Sequence, residues 1–99
     1  ELDSLMMDGI SRAIKKLNKP WETNKLGRDP HPPRVVTFCN IVRIMTNRTY
    51  DGIESYVDLI SEKIMKIFHV SRVPGSSVIH RGMDKLRMVY LRKLTRLIV

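Results

Sequence analysis

The stretch Asp51-Gly52-Ile53-Glu54-Ser55-Tyr56-Val57-Asp58-Leu59-Ile60-Ser61-Glu62-Lys63-Ile64-Met65-Lys66-Ile67-Phe68 decides the fold. Ile53, Tyr56, Val57, Ile60, Ile64, Ile67 and Phe68 recur at three- and four-residue intervals, which gathers them into an apolar stripe roughly 100° wide or a little more. That pattern predicts a helix of about five turns over 52–69, with other elements covering its stripe. Asp51 with Glu54 three places on reads as the start, since the Asp side chain can accept from an orphan amide and the Glu favours the positive helix terminus. On the opposite face Glu54, Asp58 and Glu62 form one acidic ladder. Its like charges repel mildly, so it is either solvated or an answer to a basic partner such as a second copy of the chain.

Working towards the C-terminus, Val73-Pro74-Gly75-Ser76-Ser77 is turn chemistry that reverses the chain. A fourth helix over 78–98 then places Met83, Leu86, Tyr90, Leu94 and Leu97 on one face. Towards the N-terminus, residues 34–48 are apolar nearly all round, with Val35, Val36, Phe38, Cys39, Ile41, Val42, Ile44 and Met45, as befits a helix in the middle of a bundle. Their β-branched content also suits a strand; helix is favoured because Pro32-Pro33 can supply its first turn and no partner strand is evident. The first segment, 4–19, sets Leu5, Met6, Ile10, Ala13, Ile14 and Leu17 on one half of a wheel, with Asp8, Ser11, Arg12, Lys15, Asn18 and Lys19 on the other. Pro20 stops it, and Gly27, Pro30, Pro32 and Pro33 make the connection to the next helix a long loop. The expectation is one all-α domain over 1–99, a bundle of about four helices.

The chain has 99 residues, 42% hydrophobic and 28% charged, values of an ordinary globular domain that leave no room for a second one. No window approaches the roughly 18 apolar residues of a membrane span, and the acidic start Glu1-Leu2-Asp3 has no signal-peptide pattern. A soluble, intracellular protein is expected, in the host cytoplasm if viral. Cys39 is the single cysteine and has no internal disulfide partner. The missing initiator Met and the apolar end Leu97-Ile98-Val99 point to excision from a larger protein. His31, His69 and His80 lie in separate segments, Cys39 sits among apolar neighbours, and no phosphate loop, metal-ligand spacing or nucleophile motif is present. A non-enzymatic protein without metal or cofactor is therefore expected.

Charge is the positive signal. The net charge is +8, and residues 34–99 hold twelve bases against five acids. Within 80–99, six bases face the single acid Asp84. On one continuous helix Arg81, Lys85, Arg92 and Arg96 would fall within about 60° of one another, opposite the apolar face, with Arg87 and Lys93 flanking them. A row of guanidinium groups rising about 6 Å per four residues can track successive phosphates of a nucleic-acid strand, and arginine adds bidentate contacts and base stacking. The plain alternative is a solvated helix face. Arg72, Ser76, Ser77, His80 and Arg81 around Pro74-Gly75 make a second candidate, a cradle for one phosphate, against an ordinary serine-capped turn. Trp21, with Lys19, Lys25 and Arg28 nearby, is a candidate platform for an unpaired base, against a core tryptophan.

Two local likenesses bear on these candidates. Phe68-His69-Val70-Ser71-Arg72-Val73-Pro74-Gly75-Ser76-Ser77-Val78-Ile79, with Asn18-Lys19-Pro20-Trp21-Glu22-Thr23-Asn24 upstream, resembles the N-terminal RNA-binding domain of the rotavirus non-structural protein that captures viral mRNA 3′ ends. The resemblance covers about a fifth of the chain. It implies a helical, dimeric domain that binds single-stranded viral RNA with basic residues such as Arg72 near its turn. The stretch from Tyr56 to Ile67 is similar to the last helix of KIX domains, three-helix modules that bind amphipathic activation peptides. That likeness implies a helix-in-groove module, to which six methionines would lend adaptable surface. The expected function is nucleic-acid binding, RNA before DNA. The alternative is a protein–protein interaction module, either KIX-like or a viral replication or assembly domain meeting an acidic partner.

Overall fold

The computed structural model describes residues 4–21 and 31–98, which form six helices and, among the described residues, no strand. They are α1 (Ser4–Lys16), α2 (Pro33–Met45), α3 (Tyr50–Leu59), α4 (Ser61–Phe68), α5 (Ser76–Lys85) and α6 (Met88–Ile98). The middle of the loop between α1 and α2, with Lys25, Gly27, Arg28, Pro30 and the Glu22-Thr23-Asn24 part of the rotavirus-like stretch, lies outside the described residues, as do residues 1–3 and 99.

The open choice for 34–48 falls to helix. Pro33 occupies the first turn, where its missing N–H costs nothing, and Pro32 O accepts from the amides of Val35 and Val36. α2 is the central helix: Val35, Val36, Phe38, Cys39 and Val42 are buried, and α1, α3 and α5 pack around it. Its two buried polar residues, Thr37 and Asn40, both donate to backbone carbonyls. Thr37 Oγ1 donates to Pro33 O at 2.8 Å, and Asn40 Nδ2 donates to Val36 O at 3.1 Å and to Ile79 O of α5 at 3.0 Å.

The third expected helix is bent into α3 and α4 at Ile60, whose φ of −104° and ψ of 17° depart from helical values. Its stripe nevertheless serves the core: Ile53, Tyr56, Val57 and Ile64 are buried, and Phe68 meets Phe38 edge-on with ring centroids 5.4 Å apart. The start also differs from expectation. Thr49, not Asp51, is the cap, its Oγ1 accepting from Gly52 N at 3.0 Å, and Asp51 sits in the first turn. α4 closes on His69 in the left-handed region, φ 56°, with Val70 N donating back to Met65 O.

α1 buries Met7, Ile10, Ala13 and Ile14. Leu5 and Met6, expected on the apolar half, are exposed, Leu5 by 78%. Ser11, expected on the polar half, is buried, which its hydroxyl tolerates by donating to Asp8 O. The fourth expected helix is two helices, with consequences for the cationic residues described next.

Candidate nucleic-acid interface

All seven bases from Arg72 onward are exposed. Arg72 lies in the extended link between α4 and α5, Arg81 and Lys85 on α5, Arg87 in the break, and Arg92, Lys93 and Arg96 on α6. The single continuous stripe expected for them does not form. α5 ends where Leu86 turns extended, φ −76° and ψ 130°, its amide donating to Met83 O at 3.3 Å. α6 begins with Leu91 N donating to Arg87 O at 3.1 Å.

The cause of the break is packing. α5, which buries Ile79 and Gly82, packs on α2 and α3, whereas α6, which buries Leu94, packs on α1. One straight helix cannot face both. Leu97, expected on the core side, is left exposed. The wheel relating Arg81 and Lys85 to Arg92 and Arg96 therefore lapses at Leu86, and what remains is two cationic arms. Within each arm the pair, Arg81 with Lys85 and Arg92 with Arg96, still shares a helix face by its four-residue spacing.

At the turn, the α5 N-terminus already holds an anion. Gly75 is its cap residue and offers no side chain, and the Ser76 amide donates to Glu54 Oε1 of α3 at 3.1 Å. A Cβ on Gly75 would stand 2.8 Å from that oxygen, so glycine leaves the carboxylate its place. The serine capping of an ordinary turn is not made here, and the Ser76 amide that a phosphate would use is occupied from within the chain. Glu54 is thereby engaged at the turn, and all three residues of the acidic ladder, Glu54, Asp58 and Glu62, are exposed. His80 is placed against the ring of Tyr50, centroids 4.4 Å apart, and Arg43 Cζ lies 4.3 Å from the centroid of that same ring. Arg43, Tyr50 and His80 come from α2, α3 and α5, so no local sequence signal groups them.

Two candidate residues far apart in sequence are brought together. Trp21 is half-buried over α5, where a Cβ on Gly82 would lie 3.4 Å from its ring, and Lys85 Nζ sits 5.6 Å from the ring centroid. Trp21 and Lys85 of the first cationic arm are thus neighbours.

Of the titratable groups, Cys39 is buried in α2, which pushes its thiol up to about 12 and keeps it neutral. His31 is lowered, chiefly by burial and secondarily by the charge of Arg72. No protein family, curated protein or solved structure matches the chain.

Proposed function

We propose that this chain is a nucleic-acid-binding helical domain whose ligand is single-stranded RNA. The observation that carries the reading is the exposure of every base from Arg72 to Arg96 in a segment whose only acid is Asp84. Each phosphate neutralised by such a surface releases condensed counterions, which is the main source of affinity for a nucleic-acid backbone. Arg81 and Lys85 contact one set of phosphates and Arg92, Lys93 and Arg96 another, with Arg87 between them. Trp21 offers ring surface beside Lys85 for a base. Arg72, Ser77 and the Ser76 hydroxyl flank the turn, where a phosphate competes with Glu54 for the Ser76 amide. RNA rather than DNA rests on the likeness of the 68–79 stretch to the rotavirus domain, which also favours a viral origin and a dimer.

Fluorescence anisotropy against short single-stranded RNA, duplex RNA and single-stranded DNA at low and near-physiological salt tests this. Micromolar or tighter binding of the single strand is expected, with the log–log salt slope reduced by about 0.7 for each arginine lost in the Arg92→Ala plus Arg96→Ala double variant. Binding that vanishes with salt and ignores nucleic-acid type would refute it.

A second reading, a protein–protein interaction module, is favoured by the large apolar side chains that α6 leaves in solvent, Met88 at 67% and Val89 at 60% exposure. Its mark is binding lost on Met88→Ser plus Val89→Ser with the arginines intact.

A further inference from the structure

A cleft of about 310 Å³ lies where the end of α1, the start of α2 and the end of α4 meet. Its polar groups are the cations of Lys15, Lys19 and Arg34, and among the described residues no carboxylate lines it. Two of the three cations have a structural task. Lys15 Nζ donates to Ile67 O at 2.6 Å, and Arg34 Nη2 donates to Leu17 O at 2.9 Å. Both acceptors are carbonyls at or just beyond helix C-termini, ends that carry roughly half a unit of negative charge each. Together they offset about one of the three positive charges, and about two are left facing the cleft.

Helix capping also leaves two groups unexplained. The Nε–H of Arg34 is buried and finds no acceptor among the described residues, a state native proteins rarely tolerate for a strong donor, and it meets a ligand in the cleft once the side chain turns outward. Lys19 is exposed at the cleft with no acid beside it among the lining residues. A guanidinium presents Nε–H and one Nη–H along one edge, the fork that engages two oxygens of a phosphate. Behind the lining, within reach of the Arg34 charge, the Tyr90 hydroxyl is a second buried group without a hydrogen-bond partner among the described residues.

Size and lining narrow the ligand further. A bare phosphate fills a small part of this volume, and the rest is faced by the Phe68 ring and by Pro32 and Pro33, flat apolar surfaces suited to a planar group. We infer that the cleft binds a nucleotide, with Arg34, Lys15 and Lys19 holding a phosphate monoester and Phe68 with Pro32 lying against the base. None of these residues belongs to the cationic arms, so this site and the strand-binding surface stand or fall separately.

The test is titration of the ¹⁵N-labelled chain with adenosine monophosphate, adenosine and inorganic phosphate, read by calorimetry and at the Arg34 Nε–H resonance. Adenosine monophosphate is expected to bind with a Kd below about 1 mM, to move that resonance downfield, and to bind about tenfold or more tightly than either fragment. Lys19→Gln and Arg34→Gln are each expected to weaken it about tenfold, whereas Arg92→Ala plus Arg96→Ala leaves it unchanged. Arg34→Gln also loses the bond to Leu17, so Lys19→Gln, on an exposed side chain, decides if the first variant fails to fold. A short 5′-phosphorylated oligonucleotide binding more tightly than the free nucleotide supports the site with a strand end as its source; the reverse order supports it with the free nucleotide. Adenosine or inorganic phosphate binding as tightly as the nucleotide, a stationary Arg34 resonance, or an unaffected Lys19→Gln variant overturns the inference.

Discussion

Gly82 of α5 lies so close to Val36 of α2 that a Cβ on it would stand 2.2 Å from Val36 Cγ1. Val36 is 2% exposed and β-branched, so its methyl groups have no room to swing aside. Alanine at 82 would gain about 1 kcal/mol of helix propensity. Overpacking costs about 1–3 kcal/mol here, and prising the helices apart also lengthens the Asn40–Ile79 bond, so the loss wins. Gly82→Ala is expected to lower stability by about 1–2 kcal/mol net, read as a lower urea midpoint at unchanged slope. A higher midpoint would mean that the two helices are not in this contact.

Glu54 joins α3 to the start of α5 through the Ser76 amide. Because the pair is exposed, Glu54→Gln should cost only about 0.3–1 kcal/mol of stability. The same change removes a negative charge from the turn and leaves the Ser76 amide a neutral, weaker acceptor that a phosphate displaces more readily. RNA affinity is therefore expected to rise about twofold or more, in the range of one weak charge interaction. An unchanged or lower affinity by anisotropy would remove the turn from the binding surface.

Alkaline pH should weaken the fold through Cys39. In the unfolded chain the thiol ionises near its ordinary 9.0, whereas in the fold it keeps its proton to about 12 because burial penalises the thiolate. Between those values the folded state binds the extra proton, so stability is whole below pH 9 and falls as pH rises, by about 1.4 kcal/mol per unit. Tyr90, raised by burial despite the lowering effect of Arg34, adds to this slope at higher pH. Denaturation at a series of pH values should show a shallower alkaline slope in Cys39→Ala than in the parent chain.

His31 gives the opposite slope on the acid side. Its folded pKa is lowered from 6.5 by burial first and by Arg72 second, so below 6.5 the unfolded chain takes up a proton that the fold resists. Stability is lost as pH falls through that region. Arg72→Gln removes the smaller cause, and the imidazole titration followed by NMR should move up part of the way while staying below 6.5. No movement would place the arginine elsewhere.

The elements legible in the sequence are those whose periodicity is decided by burial on one side. Ile53, Val57 and Ile64 announce their helix because a single stripe meets the core, and α2 announces itself because Pro33 opens a segment with no polar face. The break at Leu86 leaves no such mark. Tyr90 and Leu94 continue the wheel begun by Met83, and only the separate partners of α5 and α6 require the chain to turn. The candidate site was legible as charge and illegible as geometry. Exposure of Arg81 to Arg96 follows from composition, but the Trp21–Lys85 contact and the Glu54–Ser76 bond join residues that only the tertiary fold makes neighbours. Asn40 and Gly82 read as a polar interruption and a helix weakness in isolation, and their purpose lies on the opposite helix.

Trp21 is the only tryptophan in the chain, and its indole rests between the Gly82 backbone gap and the Lys85 ammonium. The protein thus carries its own optical gauge. Excitation of this one fluorophore reports the seating of Trp21 on α5 without any label, and its emission will respond in colour and intensity whenever a ligand, salt or mutation draws Lys85 away from the ring.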